Sequence, residues 1–307
     1  MNIGTTNIGT TNIGTTSDAE FLAGRFEEHR SHLRAVAYRM LGSLSEAEDA
    51  VQEGWIRLSR SDTSEVNNLG GWLTTVVARV CLTMLSSRER RREDSLEERL
   101  PDPVVSPAEG VDPEHEALVA DSVGLALLVV LESLEPAERL AFVLHDMFAV
   151  PFEEIATIVG RTPAAARQLA SRARRRVRGT APVPDPDLGR QRQAVDAFLA
   201  AARDGDFEAL VRVLDPDVVV RSDRGAAGGV LVARGAAVVA KQAIMFRPVG
   251  SVGHPVLVNG AAGSVATVGG QVVSLVAFTV SGGLIAEVVI ITDADRLARL
   301  DPMSATG

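Results

Sequence analysis

The chain has 307 residues, 46% hydrophobic and 23% charged, which fits two or three folded domains and excludes a disordered or fibrous protein. A single cysteine, Cys81, excludes an intrachain disulfide and a cysteine-built metal site, and suits a reducing cytoplasm. The net charge of −9 argues against a nucleic-acid binder only until it is divided by segment: seven arginines and no acid lie between Ala156 and Thr180.

Residues 1–17 hold Met1 and three copies of Asn-Ile-Gly-Thr-Thr, a repeat too short to pack, so they predict a disordered leader. Nothing here has the charged-then-apolar order of a secretory signal. Residues 18–95 are helical by periodicity, with Phe21, Phe26, Leu33, Val36, Met40 and Leu41 as a first apolar stripe. A second helix opens at Ser45, whose pairing with Glu48 reads as a capping box. It would bury Ala47, Ala50, Val51, Trp55 and Leu58, leaving Glu46, Asp49, Gln52 and Glu53 off that stripe. After a polar loop, a long helix from about Gly71 carries Trp72, Leu73, Val76, Val77 and Val80 and ends in Arg88, Arg90, Arg91 and Arg92.

Pro101, Pro103, Pro107 and Pro113 make residues 96–115 an extended linker, and helical periodicity returns over 116–180. Residues 181–189 form a second proline linker. Residues 190–307 then give two helical stretches followed by β-branched runs, with one helix near 235–246, an α+β pattern. The stretch 248–286 lacks charge, but eight glycines interrupt it, so it predicts buried strands rather than a membrane span.

The sharpest local signal is a helix-turn-helix. A short helix from Phe152 stops at Gly160, Thr162 caps the next helix, and Pro163 occupies its first position. The second helix would bury Ala166, Leu169, Ala173 and Val177 and turn Arg167, Gln168, Ser171, Arg172 and Arg175 outward. Arginine pairs with guanine and glutamine with adenine, while further arginines neutralise phosphates. The bland alternative is an amphipathic helix with a solvated basic face.

The helix-turn-helix and the run Leu131-Glu-Ser-Leu-Glu-Pro-Ala-Glu-Arg-Leu-Ala-Phe before it resemble region four of extracytoplasmic-function (ECF) sigma factors. Ser45-Glu-Ala-Glu-Asp-Ala-Val-Gln-Glu-Gly-Trp-Ile-Arg-Leu and Gly71-Trp-Leu-Thr-Thr-Val-Val-Ala-Arg resemble region two. The resemblance implies core RNA polymerase, through its β′ and β subunits, and promoter DNA as partners. It implies −35 reading by Thr162, Arg167, Gln168, Ser171, Arg172 and Arg175, and polymerase docking by Asp49, Gln52 and Glu53. It assigns the −10 element to Asn67, Asn68, Trp72, Arg79, Arg88 and Arg91, although Trp72 also reads as a core aromatic.

A narrower resemblance lies in Leu100-Pro-Asp-Pro-Val, in the glycine-rich loop at Asp223 and in Asp293-Ala-Asp-Arg-Leu. These are similar to motifs of ECF factors that carry a C-terminal SnoaL/NTF2-like extension, a cone-shaped α+β domain. That implies regulatory contacts between domains through Leu100, Pro101, Asp102, Pro103, Asp223, Asp293, Asp295 and Arg296, with no separate anti-sigma factor required. The implied architecture is two all-α sigma domains followed by the α+β domain, without metal or other cofactor. Two alternatives stay open: a helix-turn-helix regulator with a ligand-sensing C-terminal domain, and a SnoaL-type enzyme. The enzyme would need an acid or base among Asp196, Asp217, Asp223, His254 and Glu287, and strand alternation would turn Glu287 to solvent.

Overall fold

The computed structural model describes residues 14–61, 66–92, 100–108, 124–225, 228–246 and 249–305. Most of the repeat leader lies outside the described residues, yet helix α1, Gly14–Leu41, already begins within the stretch expected to be leader. α1 packs with α2, Leu44–Leu58, and α3, Leu69–Arg92, as the first helical unit. Leu33, Val36, Met40, Val51, Leu58, Leu73 and Val77 interlock in its core, whereas Phe21, expected on the stripe, is exposed. By length and composition α3 could cross a membrane; half of its apolar window is instead buried in this protein, as in a central core helix.

The expected capping box at Ser45 does not form. Ser43 is the N-cap residue of α2, with extended backbone and no side-chain cap. Glu48 turns to α1, where it pairs with Arg30 and, at 3.7 Å, with Arg34. A carboxylate that finds two guanidiniums on a neighbouring helix gains more than one backbone N–H offers.

The second helical unit comprises α4, Leu125–Glu132; α5, Pro136–Phe142, continuing as a π turn over Val143–Met147; α6, Phe152–Val159; and α7, Pro163–Thr180. Gly160 ends α6 in the left-handed conformation, at φ +64°, and the Thr162 side chain accepts the Ala165 N–H at 3.2 Å to start α7. The two units touch: α3 packs on α5 and α6.

The C-terminal domain opens with α8, Leu188–Asp204, and α9, Phe207–Val213, capped by Asp187 and Asp206. Then come β2, Leu214–Asp223; β3, Val230–Arg234; α10, Ala236–Met245; β4, Val252–Val258; β5, Ala261–Val268; β6, Gln271–Ser281; β7, Leu284–Ile291; and α11, Ala294–Leu300. This is the α+β order of elements expected from the sequence. With β1, Val105–Pro107, the sheet among the described residues runs β1-β4-β5-β6-β7-β2-β3, antiparallel except where β2 meets β7. Val218, Phe278, Val280 and Val288 pack against α8 to α10. Val256, Val258, Val265, Leu275, Val289 and Ile291 join the apolar cluster of the N-terminal helices, so no solvent layer divides the halves.

The seventh strand, β1, comes from the linker. Val105–Pro107 pairs with the edge strand β4, Val105 opposite Val258 and Pro107 opposite Val256. Residues 96–115 are therefore not a free spacer, because their middle has been added to the sheet of the C-terminal domain. Residues 96–99 and 109–115 of that span lie outside the described residues.

Gly42, between α1 and α2, has φ +67°, and a Cβ there would lie 2.7 Å from the Glu132 carboxylate of α4. Gly42→Ala should lower stability by about 1–2 kcal/mol, measured by urea unfolding of the full chain.

Candidate promoter-binding surfaces and the interdomain junction

α7 buries Ala166, Leu169, Ala170 and Ala173 against α5 and α6. Its outer stripe carries Gln168, Ser171, Arg175 and Arg178, all exposed. Thr162 is exposed too and serves as the N-cap. Arg167 reaches back to Glu153 of α6 at 3.0 Å, with its guanidinium 5.5 Å from the Phe152 ring. Arg172 is also exposed, but its Nε donates to Glu138 of α5 at 2.6 Å.

In the first unit, Asp49 and Gln52 are exposed on α2, one turn apart, with Glu53 beside them in an i,i+4 pair with Arg57 at 2.8 Å. Asn67 and Asn68 are exposed at the entrance to α3, where the Asn68 side chain accepts the Gly71 N–H at 3.0 Å. Trp72 is half-buried and packed on the helical core. Arg79 donates to the Thr157 carbonyl of α6 at 3.4 Å. Arg88 is turned inward, bonded to the Leu41 carbonyl at 3.0 Å and paired with Glu46, so its guanidinium faces α1 and α2 rather than an open surface. Arg91 falls at the end of α3, outside the residues whose side chains are described.

The interdomain residues converge more tightly. Arg296, 5% exposed, donates to the Leu100 carbonyl at 2.8 Å and the Pro101 carbonyl at 2.6 Å, pairs with Asp102 at 3.1 Å, and meets Asp223 with its other nitrogen. Asp223 is held in turn: its carboxylate accepts the Gly225 N–H at 2.9 Å and its carbonyl accepts the Thr292 N–H at 3.0 Å. Asp293 caps α11 by accepting the Arg296 N–H at 2.8 Å, which aims the Arg296 side chain. Pro103 is buried beside them, while Asp295 is exposed and lies outside the cluster.

Two residues of this junction escape a reading by periodicity. Asn259, at φ +51°, accepts the Val104 N–H at 3.0 Å, returns its own N–H to the Val104 carbonyl at 2.8 Å, and donates to the Tyr38 hydroxyl at 3.0 Å. Tyr38 of α1 donates to the Asp102 carbonyl at 2.6 Å, and burial pushes its phenol far above the usual tyrosine range. Asn259-Gly260 between two β-branched runs is a hairpin signature, and it is the one signal that could have marked the spot. Arg192 of α8 completes the grip on the linker by bonding the Ala108 carbonyl.

The candidate acids and bases of the C-terminal domain lie apart. Asp196 and Asp217 are exposed, and His254 meets Thr267 at 3.0 Å. Glu287 corrects the expectation from strand alternation: it is 5% exposed and paired with Arg221 at 2.7 Å. Alternation gives the face of a strand but not what covers it. Burial raises the Glu287 carboxyl above its ordinary value, with Arg221 and Arg234 pulling the other way. Among the described residues no group of three or more His, Cys, Asp or Glu could hold a metal ion.

Comparison with known proteins agrees with this geometry. Residues 25–91 match the Sigma-70 region 2 family model and residues 124–177 the Sigma-70 region 4 model. The chain is 44% identical over 200 residues to the ECF RNA polymerase sigma factor SigJ of Mycobacterium tuberculosis, covering 64% of each. It is 37% identical over 202 residues to the probable ECF RNA polymerase sigma factor SigI of the same organism, covering 66% of this chain and 70% of that protein. The chain belongs to the ECF RNA polymerase sigma factor family. The crystal structure of M. tuberculosis SigJ superposes on this ECF factor with a TM-score of 0.71 at 33% identity, over 90% of this chain and 98% of that one.

Arg296→Ala would leave the buried Asp223 and half-buried Asp102 without their guanidinium. It should destabilise the junction by about 3–5 kcal/mol, and hydrogen exchange should show the Asp102 and Val104 amides losing protection. A carboxyl raised on folding contributes stability that is full below its unfolded value and is lost as pH rises through its folded one. Wild-type stability relative to Glu287→Gln should therefore fall as pH rises above the ordinary carboxyl value of 4.5, as measured by denaturant unfolding at several pH values.

Proposed function

We propose that this ECF factor binds core RNA polymerase, directs promoter-specific initiation in the cytoplasm, and is restrained in cis by its C-terminal domain. The outer stripe of α7, with Gln168, Ser171 and Arg175, reads the −35 element. Asn67, Trp72 and the start of α3 serve the −10 element, and Asp49, Gln52 and Glu53 dock on the β′ subunit while the β subunit receives the second helical unit. No catalytic step belongs to this reading, and a free-standing regulator would have no use for the region 2 domain.

The observation that carries the restraint is the Arg296 grip on residues 100–102, together with the strand β1 in the C-terminal sheet. By their names the two promoter elements lie about 25 base pairs apart, about 85 Å of B-form duplex at about 3.4 Å per pair. Here α3 and α6 are in contact through Arg79 and Thr157. Both elements are read together only when the helical units part, and the linker that must lengthen is the segment fastened to the C-terminal domain. A separate anti-sigma protein is unnecessary in this scheme, because the same chain supplies the clamp.

Run-off transcription with core polymerase and a promoter library tests both halves. The full chain should give a low promoter-dependent product, raised several-fold by Arg296→Ala, which loosens the grip while keeping the domain. Equal output from the two proteins refutes the restraint. Absence of any promoter-dependent product from both refutes the sigma activity.

A further inference from the structure

The seven arginines between Ala156 and Thr180 are not seven available charges. Arg172 Nε bonds one Glu138 oxygen at 2.6 Å, and Arg176 Nη1 lies 3.8 Å from the other while donating to the Ser133 carbonyl at 3.1 Å. On the opposite flank of α7, Arg174 Nε meets Asp146 at 2.6 Å. Arg161, Arg175 and Arg178 have no side-chain hydrogen bond or ion pair with another described residue.

The clamps differ in how easily DNA could displace them. Glu153, which holds Arg167, is 65% exposed, so a phosphate can take its place and leave it to water. The Glu138 side chain is 8% exposed, and drawing both arginines away would strand a buried carboxylate. Arg172 and Arg176 lie one turn apart on one side of α7, so a single acid on α5 also fixes the rotation of that helix.

We infer that Glu138, aided by Asp146, is a positioning and specificity-determining residue: it withholds Arg172, Arg176 and Arg174 from the phosphate backbone and leaves the stripe of Gln168, Ser171, Arg175 and Arg178 to meet DNA. Phosphate contacts add affinity for every sequence alike, so three arginines neutralised internally lower binding to the wrong DNA and raise the ratio of specific to non-specific binding. This inference rests on α7 being a DNA-facing helix, and it removes Arg172 from the contacts that the sequence suggests.

The test is a fluorescence-anisotropy titration of the full chain on a short duplex of mixed sequence, repeated over a range of NaCl. Each guanidinium released to a phosphate steepens the log–log salt slope by about 0.9. Glu138→Gln should steepen it by about 1 to 2, Glu138→Asp should keep the wild-type slope, and Arg172→Ala in the Glu138→Gln chain should remove about 0.9 of the gain. Loss of folding in Glu138→Gln would not give that selective reversal. Arg172→Ala alone should leave the wild-type slope unchanged, a result independent of how Glu138→Gln folds. An unaltered slope in a folded Glu138→Gln chain, or a flattening by about 0.9 in Arg172→Ala alone, overturns the inference while α7 keeps its DNA role. A wild-type chain with no salt-dependent binding overturns the DNA role itself, and the inference with it.

Discussion

A helix ends with carbonyls that its own backbone cannot satisfy, and in this protein the end of α1 gathers partners from three other parts of the chain. Arg139 of α5 donates to the Met40 carbonyl at 2.9 Å, Arg88 of α3 to the Leu41 carbonyl at 3.0 Å, and the Asp102 N–H to the Gly42 carbonyl at 2.7 Å. Two of these donors are cations at the negative end of a helix dipole. Tyr38, one turn earlier, extends the same anchor through Asp102 and Asn259 to the C-terminal domain. One helix terminus therefore ties both helical units, the linker and the C-terminal domain together, and the relative placement of α3, α5 and the linker follows from it.

This junction sets a buried polar centre beside the apolar contact between the sheet and the N-terminal helices. Arg296 and Arg139 are each less than 6% exposed and each serves carboxylates and carbonyls together. Replacing buried ion pairs by apolar groups often leaves a protein equally stable or more so, which makes them poor devices for mere cohesion. They suit a contact that is made in one register. Water and other partners can satisfy these polar groups when they part, which the apolar side chains beside them do not allow.

What the sequence discloses depends on how far each signal travels. Gly160, Thr162 and Pro163 announce the turn between α6 and α7 because caps act within four residues. The capping box at Ser45 misleads because the partners of Glu48 lie on α1, beyond any local pattern. β1 is hidden for a similar reason: Val104 and Val105 stand between prolines, and the partners of β1 are more than 145 residues away on β4. Arg296 and Asp223 are legible only through motif resemblance. Tyr38 has neither period nor motif and Asn259 only its Asn-Gly hairpin signature, and only packing reveals that they meet.

The strand β1 carries one more consequence. Its departure bares the edge of β4, and an open sheet edge invites pairing between molecules. Here the uncovered stretch is short: β1 spans three residues, and Pro255, which has no N–H to offer, stands directly beyond Val256, the last residue it covers. Neighbouring molecules are given little to hold, and the same linker can find its place again. Along this edge, at least, loss of β1 would leave little for another chain to pair with.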